Sequence, residues 1–193
     1  MSVISFIVIA IAFGISTMML MHRCAGAASL PLSRGLMVSL MFAVVYAGLC
    51  CLGMWLGNLL CFESPNDPYA FSRPNAFVFL GMAVVVAAKQ IWPYLGKKTA
   101  PAAYDLNAAI LRVLLFAVAS GINVFLLGIG AGFVAPFDGS FHKAFWPLLV
   151  LVFLLAYLGI MYGRQHVKIR PRRWMAVSSF ILIATAVVAV VNS

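Results

Sequence analysis

The sequence predicts an all-α integral membrane protein of six transmembrane helices, arranged as a 3+3 inverted-topology repeat. Three observations lead there. The apolar residues fall into six long runs, the basic residues crowd every second connection, and one short pattern recurs in the second and fifth runs. Of the 193 residues 65% are hydrophobic and 9% charged, whereas soluble domains are about a quarter charged. A soluble fold of this size cannot hide so much apolar surface.

Helices are expected over about 3–21, 35–60, 76–94, 108–134, 145–163 and 174–191 in a single transmembrane domain. A spanning helix needs about 20 mostly apolar residues. Inside lipid the backbone must satisfy its own hydrogen bonds, which makes each run a helix. Apolar residues run continuously instead of alternating, which argues against a β-barrel. The first run is expected to be a retained helix: "MSVISF" carries no basic residue, and His22 and Arg23 follow the apolar stretch instead of preceding it. The connections are short. "CFESPNDPYAFSRPN", between the second and third runs, has three prolines among turn residues, and "GKKTAPAAYDLN" joins the third and fourth. Neither has room for a soluble catalytic domain.

Charge sets the expected orientation. Eleven of the 13 Lys and Arg lie in or beside the odd-numbered connections: Arg23, Arg34, Lys89, Lys97, Lys98, Arg112, Arg164, Lys168, Arg170, Arg172 and Arg173. Arg73 and Lys143 lie in the even ones, with the acids Glu63, Asp67 and Asp138. By the positive-inside rule the basic loops are cytoplasmic and both termini lie outside, in the periplasm of a plasma (inner) membrane. The run "RQHVKIRPRRW" sits between two spans, so topology and anionic headgroups explain the net charge of +9 better than nucleic acid does. Trp92 and Trp174 are expected as interfacial anchors.

The recurring pattern is L-x-x-L-G-x-x-x-G-[NR]. It reads "LCCLGMWLGN" at 49–58 and "LAYLGIMYGR" at 155–164. Three spans separate the two, so they run in opposite directions. That divides the chain into inverted halves, 1–94 and 108–193, a common transporter plan with a site near the midplane. "GISTMML" at 14–20 set over "ASGINVF" at 119–125 gives weaker support; the third and sixth runs show no match. Leu and Gly are common in membrane helices, and chance recurrence is the competing explanation. Physically, Gly53 with Gly57, and Gly159 with Gly163, form small-xxx-small faces that let another backbone come close. Tight helix packing is the plain reading; sliding surfaces for alternating access is the sharper one.

Chemistry-bearing residues are sparse. Ser16, Thr17, Ser120 and Asn123 would meet if the first and fourth helices cross at the midplane. There they would bind a neutral or zwitterionic solute or a weakly held ion, or simply join helices by hydrogen bonds. Tyr46 and Tyr157 are candidate cavity walls. Lys89 and Gln90 read as snorkelling to the inner interface. Four cysteines (Cys24, Cys50, Cys51, Cys61) show no C-x-x-C or Cys/His metal spacing and read as packing residues, and so do the ten methionines. His22, His142 and His166 are isolated. No nucleophile elbow, P-loop or H-E-x-x-H occurs. Neither an enzyme nor a cofactor is expected.

Taken in order, "IAFGIS", "RGLMVSLMFAVV" with "GMWLG", "FVFLGM", "VASGINVFLLGIGAGF" and "LGIMYGR" resemble the manganese efflux pump family of the MntP type, within the wider LysE-like transporter group. The resemblance spans nearly the whole chain and implies a six-helix exporter with intramembrane carboxylates. The family's acidic positions fall here on Met18, Tyr46 and Asn123, and the polar positions of its third helix fall on Ala83 and its neighbours. None of the six runs holds an Asp or Glu. Mn²⁺ prefers carboxylate and other hard oxygen ligands, and an uncompensated dication in a bilayer is costly. Two expectations follow. One is a membrane transporter whose neutral ligands are Ser16, Thr17, Tyr46, Ser120 and Asn123, with the bilayer and a small solute or cation as its partners. The other is a non-transporting family member that serves as a scaffold or accessory subunit.

Overall fold

The computed structural model describes residues 3–27, 30–60, 72–95, 104–135, 137–167 and 169–191. These form six α-helices: α1 (Val3–Ala27), α2 (Leu32–Leu60), α3 (Ser72–Leu95), α4 (Ile110–Val134), α5 (Phe137–Arg164) and α6 (Pro171–Val191). No strand occurs among the described residues. All six helices are long and apolar enough to cross a membrane. The expected spans are therefore found, with longer ends. α1 runs on through His22 and Arg23 to Ala27, and α5 begins at Phe137. Apolar runs mark the hydrocarbon core, whereas a helix continues into the headgroup region as long as its backbone bonds do. Cys61, Glu63, Asp67, Lys97, Lys98 and Lys168 lie outside the described residues.

The surface confirms the solvent. Leu36, Leu40, Val44, Leu52 and Trp55 of α2 are exposed, as are Leu111, Leu115, Val118 and Ile122 of α4. Each set repeats at helical spacing, so it forms a stripe on one face. Exposed apolar side chains of this kind, which α3, α5 and α6 also carry, are too extensive for a water-facing monomer. They are the lipid-facing side of a bundle whose interior holds Phe13, Phe42, Met54, Phe79, Leu148 and Ile160. The structure is thus that of a multi-pass helical membrane protein.

The principal packed pairs are α1 with α5, α2 with α4, α2 with α5, α3 with α6, α3 with α4, and α1 with α6. Glycines decide two of them. A Cβ placed on Gly53 would strike the backbone of Phe125 and Ile129, and one on Gly57 that of Ile129 and Gly132. From the other side, a Cβ on Gly128 would meet Cys50 and one on Gly132 would meet Met54. The α2–α4 seam is therefore glycine against backbone in both directions. The α1–α5 seam is built alike: Gly159 faces the backbone of Met18 and Gly163 that of His22, while Gly14 lies against Leu151 and Leu155. Partner numbers rise together along both seams, so each pair is parallel. Close parallel approach of this kind needs small residues at every fourth position.

One end of the bundle is tied together by polar contacts. Arg34, in the first turn of α2, donates from Nε to the Leu106 carbonyl at 3.1 Å and from its guanidinium to the Ala108 carbonyl. His22 Nε2 lies 2.8 Å from the Val167 carbonyl. α5 ends with His166 in the left-handed region (φ 52°), its N–H on Gly163 and the Val167 N–H on Tyr162. This pattern satisfies the last carbonyls of the helix. The residues leading into α2 and α4 and those leaving α5 thus gather on one face.

Candidate functional site: a polar cavity at mid-helix depth

Stacked rings carry order inward from that face. Tyr104 stacks on Phe116 with centroids 4.3 Å apart, Phe116 meets Phe42 at 5.8 Å, and Phe42 meets Tyr46 at 5.9 Å. Tyr46 is buried at the middle of α2, and its ring packs beside Gly121 of α4. Held there, the Tyr46 hydroxyl donates to Ser120 Oγ at 3.0 Å, and Ser120 donates to the Ala117 carbonyl at 3.0 Å.

A cavity of about 210 Å³ opens in front of this pair. Its deep walls are Phe13 and Ser16 of α1, Tyr46 of α2, and Ala119, Ser120 and Asn123 of α4. Lys89, Gln90 and Pro93 of α3 and Met175 of α6 lie towards the end where the basic connections gather. The cavity therefore reaches from that end to about half the depth of the bundle.

Its two sides differ in hydrogen bonding. On the α1 side Ser16 Oγ lies 2.9 Å from Ser178 Oγ of α6. The Ser178 hydroxyl in turn has the Ala12 carbonyl at 2.8 Å and Gln90 Oε1 at 3.1 Å. Ser178 has one proton to donate and two acceptors for it, so Ser16 completes the cluster by donating to Ser178. On the α4 side Asn123 Oδ1 is buried without a hydrogen-bond partner among the described residues. A buried acceptor left without a donor costs about 1–3 kcal/mol.

Several expectations change here. α1 and α4 are not a principal packed pair; they form facing walls, with α2 behind and α3 and α6 closing the side. Ser16, Ser120, Asn123 and Tyr46 do line one cavity. Thr17 does not; it is buried and donates back to the Phe13 carbonyl at 2.8 Å, within its own helix. Met18 is buried in the α1–α5 seam, and Ala83 is buried in the core. Gln90 does not snorkel: it is 5% exposed and bonded to Ser178. The sequence reading missed Gln90 and Ser178. The signals available were a glutamine one residue after Lys89 and the adjacent pair Ser178–Ser179 inside an otherwise apolar run. Tyr157 is not among the residues lining the cavity.

Among the described residues no three His, Cys, Asp or Glu side chains come together. A second cavity, about 270 Å³, opens beside Arg34, Met37, Met41 and Ile110 near the starts of α2 and α4; its walls are mainly apolar.

Fold and site together define a polytopic helical membrane protein with a polar cavity reaching mid-depth. No protein-family profile, curated protein or solved structure matches this chain.

Proposed function

We propose that the chain is an alternating-access transporter built from two inverted three-helix halves, with its substrate site at Tyr46, Ser120, Asn123 and Ser16. The observation that carries this reading is the cavity that reaches Asn123, a residue whose buried Oδ1 has no hydrogen-bond partner among the described residues. A cavity that brings polar side chains to that depth suits a transporter, which needs a place where a solute replaces protein hydrogen bonds.

The packing supports the repeat. Exchanging α1 with α4, α2 with α5 and α3 with α6 turns the set of principal helix pairs into itself. Gly53 stands to Phe125 as Gly159 stands to Met18, and Gly57 stands to Ile129 as Gly163 stands to His22. Likewise Gly121 meets Leu49 as Gly14 meets Leu155. These pairings set Gly14 opposite Gly121, and so Ser16 opposite Asn123. The sequence overlay set Gly14 on Ala119, two residues away. The seam contacts support the register with Gly121, whereas a short apolar match has little to hold it in place.

In this reading the basic end is cytoplasmic, both termini lie outside, and the described state is open inward. The resemblance to manganese exporters fits the architecture. The cavity walls, however, offer neutral oxygens and one ammonium group, with no carboxylate for a dication. Flux into liposomes carrying the purified protein tests the proposal. Solute movement that Asn123→Leu abolishes while the protein stays monodisperse supports it. A folded protein that moves no organic anion, zwitterion or metal ion would leave the accessory-subunit alternative. Manganese has its own test: deleting the gene should raise cell Mn²⁺ if Mn²⁺ is the cargo.

A further inference from the structure

We infer that the substrate is a small organic anion that also carries a hydrogen-bond donor, the hydroxycarboxylates being the simplest class. This deepens the transporter reading and rests on it. Two features of the cavity lead there. Among its described lining residues the only charged side chain is Lys89, and no acid opposes it. The buried atom without a partner is an acceptor, Asn123 Oδ1. A ligand suited to both brings a negative end for Lys89 and an O–H or N–H for Asn123.

The other walls agree with this assignment. Ser120 and Tyr46 are already bonded to each other, and Ser16 is engaged with Ser178. Each hydroxyl retains a lone pair, but their protons are committed. Asn123 is left unengaged among the described residues: its Oδ1 lacks a donor, and its amide N–H groups can serve an acceptor that the same ligand brings. Phe13, Ala119 and Pro93 provide apolar wall against which a short carbon chain can lie. A cavity volume of about 210 Å³ suits a small solute.

The surroundings favour the same charge. Arg112, Arg164, Arg170, Arg172 and Arg173 are exposed at the end from which the cavity opens, where Asp105 is the acid among the described residues. A basic rim around a low-dielectric cleft concentrates anions at its mouth and repels Mn²⁺. Lys89 is exposed and can follow an anion inward on its flexible stem.

Currents across a supported membrane bearing the reconstituted protein test this directly. The probes are glycolate, lactate and glycerate as hydroxycarboxylates, glycine as a zwitterion, and Mn²⁺ as a dication. Hydroxycarboxylates should evoke a transient current with the sign of entering negative charge. Lys89→Gln should lower it several-fold, Lys89→Arg should keep most of it, and Asn123→Ala should reduce it at least tenfold. Because Lys89 is exposed, its variants will fold. Flux of labelled glycine, or a current of opposite sign from Mn²⁺, would overturn the anion assignment and leave the transporter reading standing. No flux from any probe class by monodisperse protein would overturn both.

Discussion

The α1–α5 and α2–α4 seams are built alike, but the cavity walls these pairs supply are not. In both seams glycines four residues apart let parallel backbones touch. At the cavity, by contrast, Ser16 of α1 belongs to a satisfied cluster with Ser178, Gln90 and the Ala12 carbonyl, while Asn123 of α4 has a bare oxygen. Packing demands the same small residues wherever two backbones meet. Chemistry does not, because a ligand needs its unpaired group on only one wall. The difference separates what holds the bundle together from what it offers a solute.

The largest effects should come from breaking a seam. Gly53→Leu or Gly159→Leu puts four side-chain carbons where a single Cβ already strikes backbone. We expect no monodisperse protein on size-exclusion chromatography in either case. Gly57→Ala is milder, and overpacking of about 1–3 kcal/mol should show as a lowered melting temperature in detergent. If either Leu variant eluted and melted like the parent, backbone contact in that seam would be refuted.

Asn123→Leu sharpens the other side of the comparison. It removes an unpaired buried acceptor, so the protein should gain stability, up to about 1–3 kcal/mol, while losing solute flux. A thermal shift measured beside a flux assay reads both. Loss of stability would show that Asn123 has a structural partner after all.

Ser178→Ala comes next. It deprives Ser16, Gln90 and the Ala12 carbonyl of their common partner. Interhelical hydrogen bonds in membranes average about 0.6 kcal/mol and reach about 1.7, so a modest drop in melting temperature is expected. Tyr46→Phe, which removes the hydroxyl that engages Ser120 and Thr17, should cost a comparable amount.

The smallest change belongs to glycines outside the seams. A Cβ on Gly48 or Gly81 meets nothing within 4 Å. Alanine there should be neutral or should stabilise by up to about 1 kcal/mol, the difference in helix propensity. Destabilisation by Gly48→Ala as large as that by Gly57→Ala would mean that glycine as such, and not backbone contact, matters in this bundle.

Much of the fold was legible because the bilayer imposes one rule on every span. Six apolar runs became six helices, and the glycine pattern at 53, 57, 159 and 163 marked close-packing faces. What those faces packed against was not legible. Gly53 does not encode that its partner is the backbone of Phe125, because the partner contributes no side chain to the contact. Of the site, Ser16, Tyr46, Ser120 and Asn123 could be picked out as polar groups in apolar surroundings. Which of them stay unpaired depends on α6 and α3: Ser178, itself bonded to Gln90, engages the α1 wall and leaves Asn123 on the α4 wall without a partner among the described residues.

The central claim is that the cavity beside Asn123 is visited from both sides of the membrane. Thiol labelling of Ala119→Cys, a cavity-wall position, tests it most directly, in a background where Cys24, Cys50, Cys51 and Cys61 are replaced by alanine and folding is verified. A membrane-impermeant maleimide should react at this position when applied from the side of the basic connections, towards which the cavity opens. It should also react, more slowly, from the outer side, as the bundle alternates. Reaction from one side alone, at any exposure time, would contradict alternating access, and reaction from neither would contradict an open cavity at that depth.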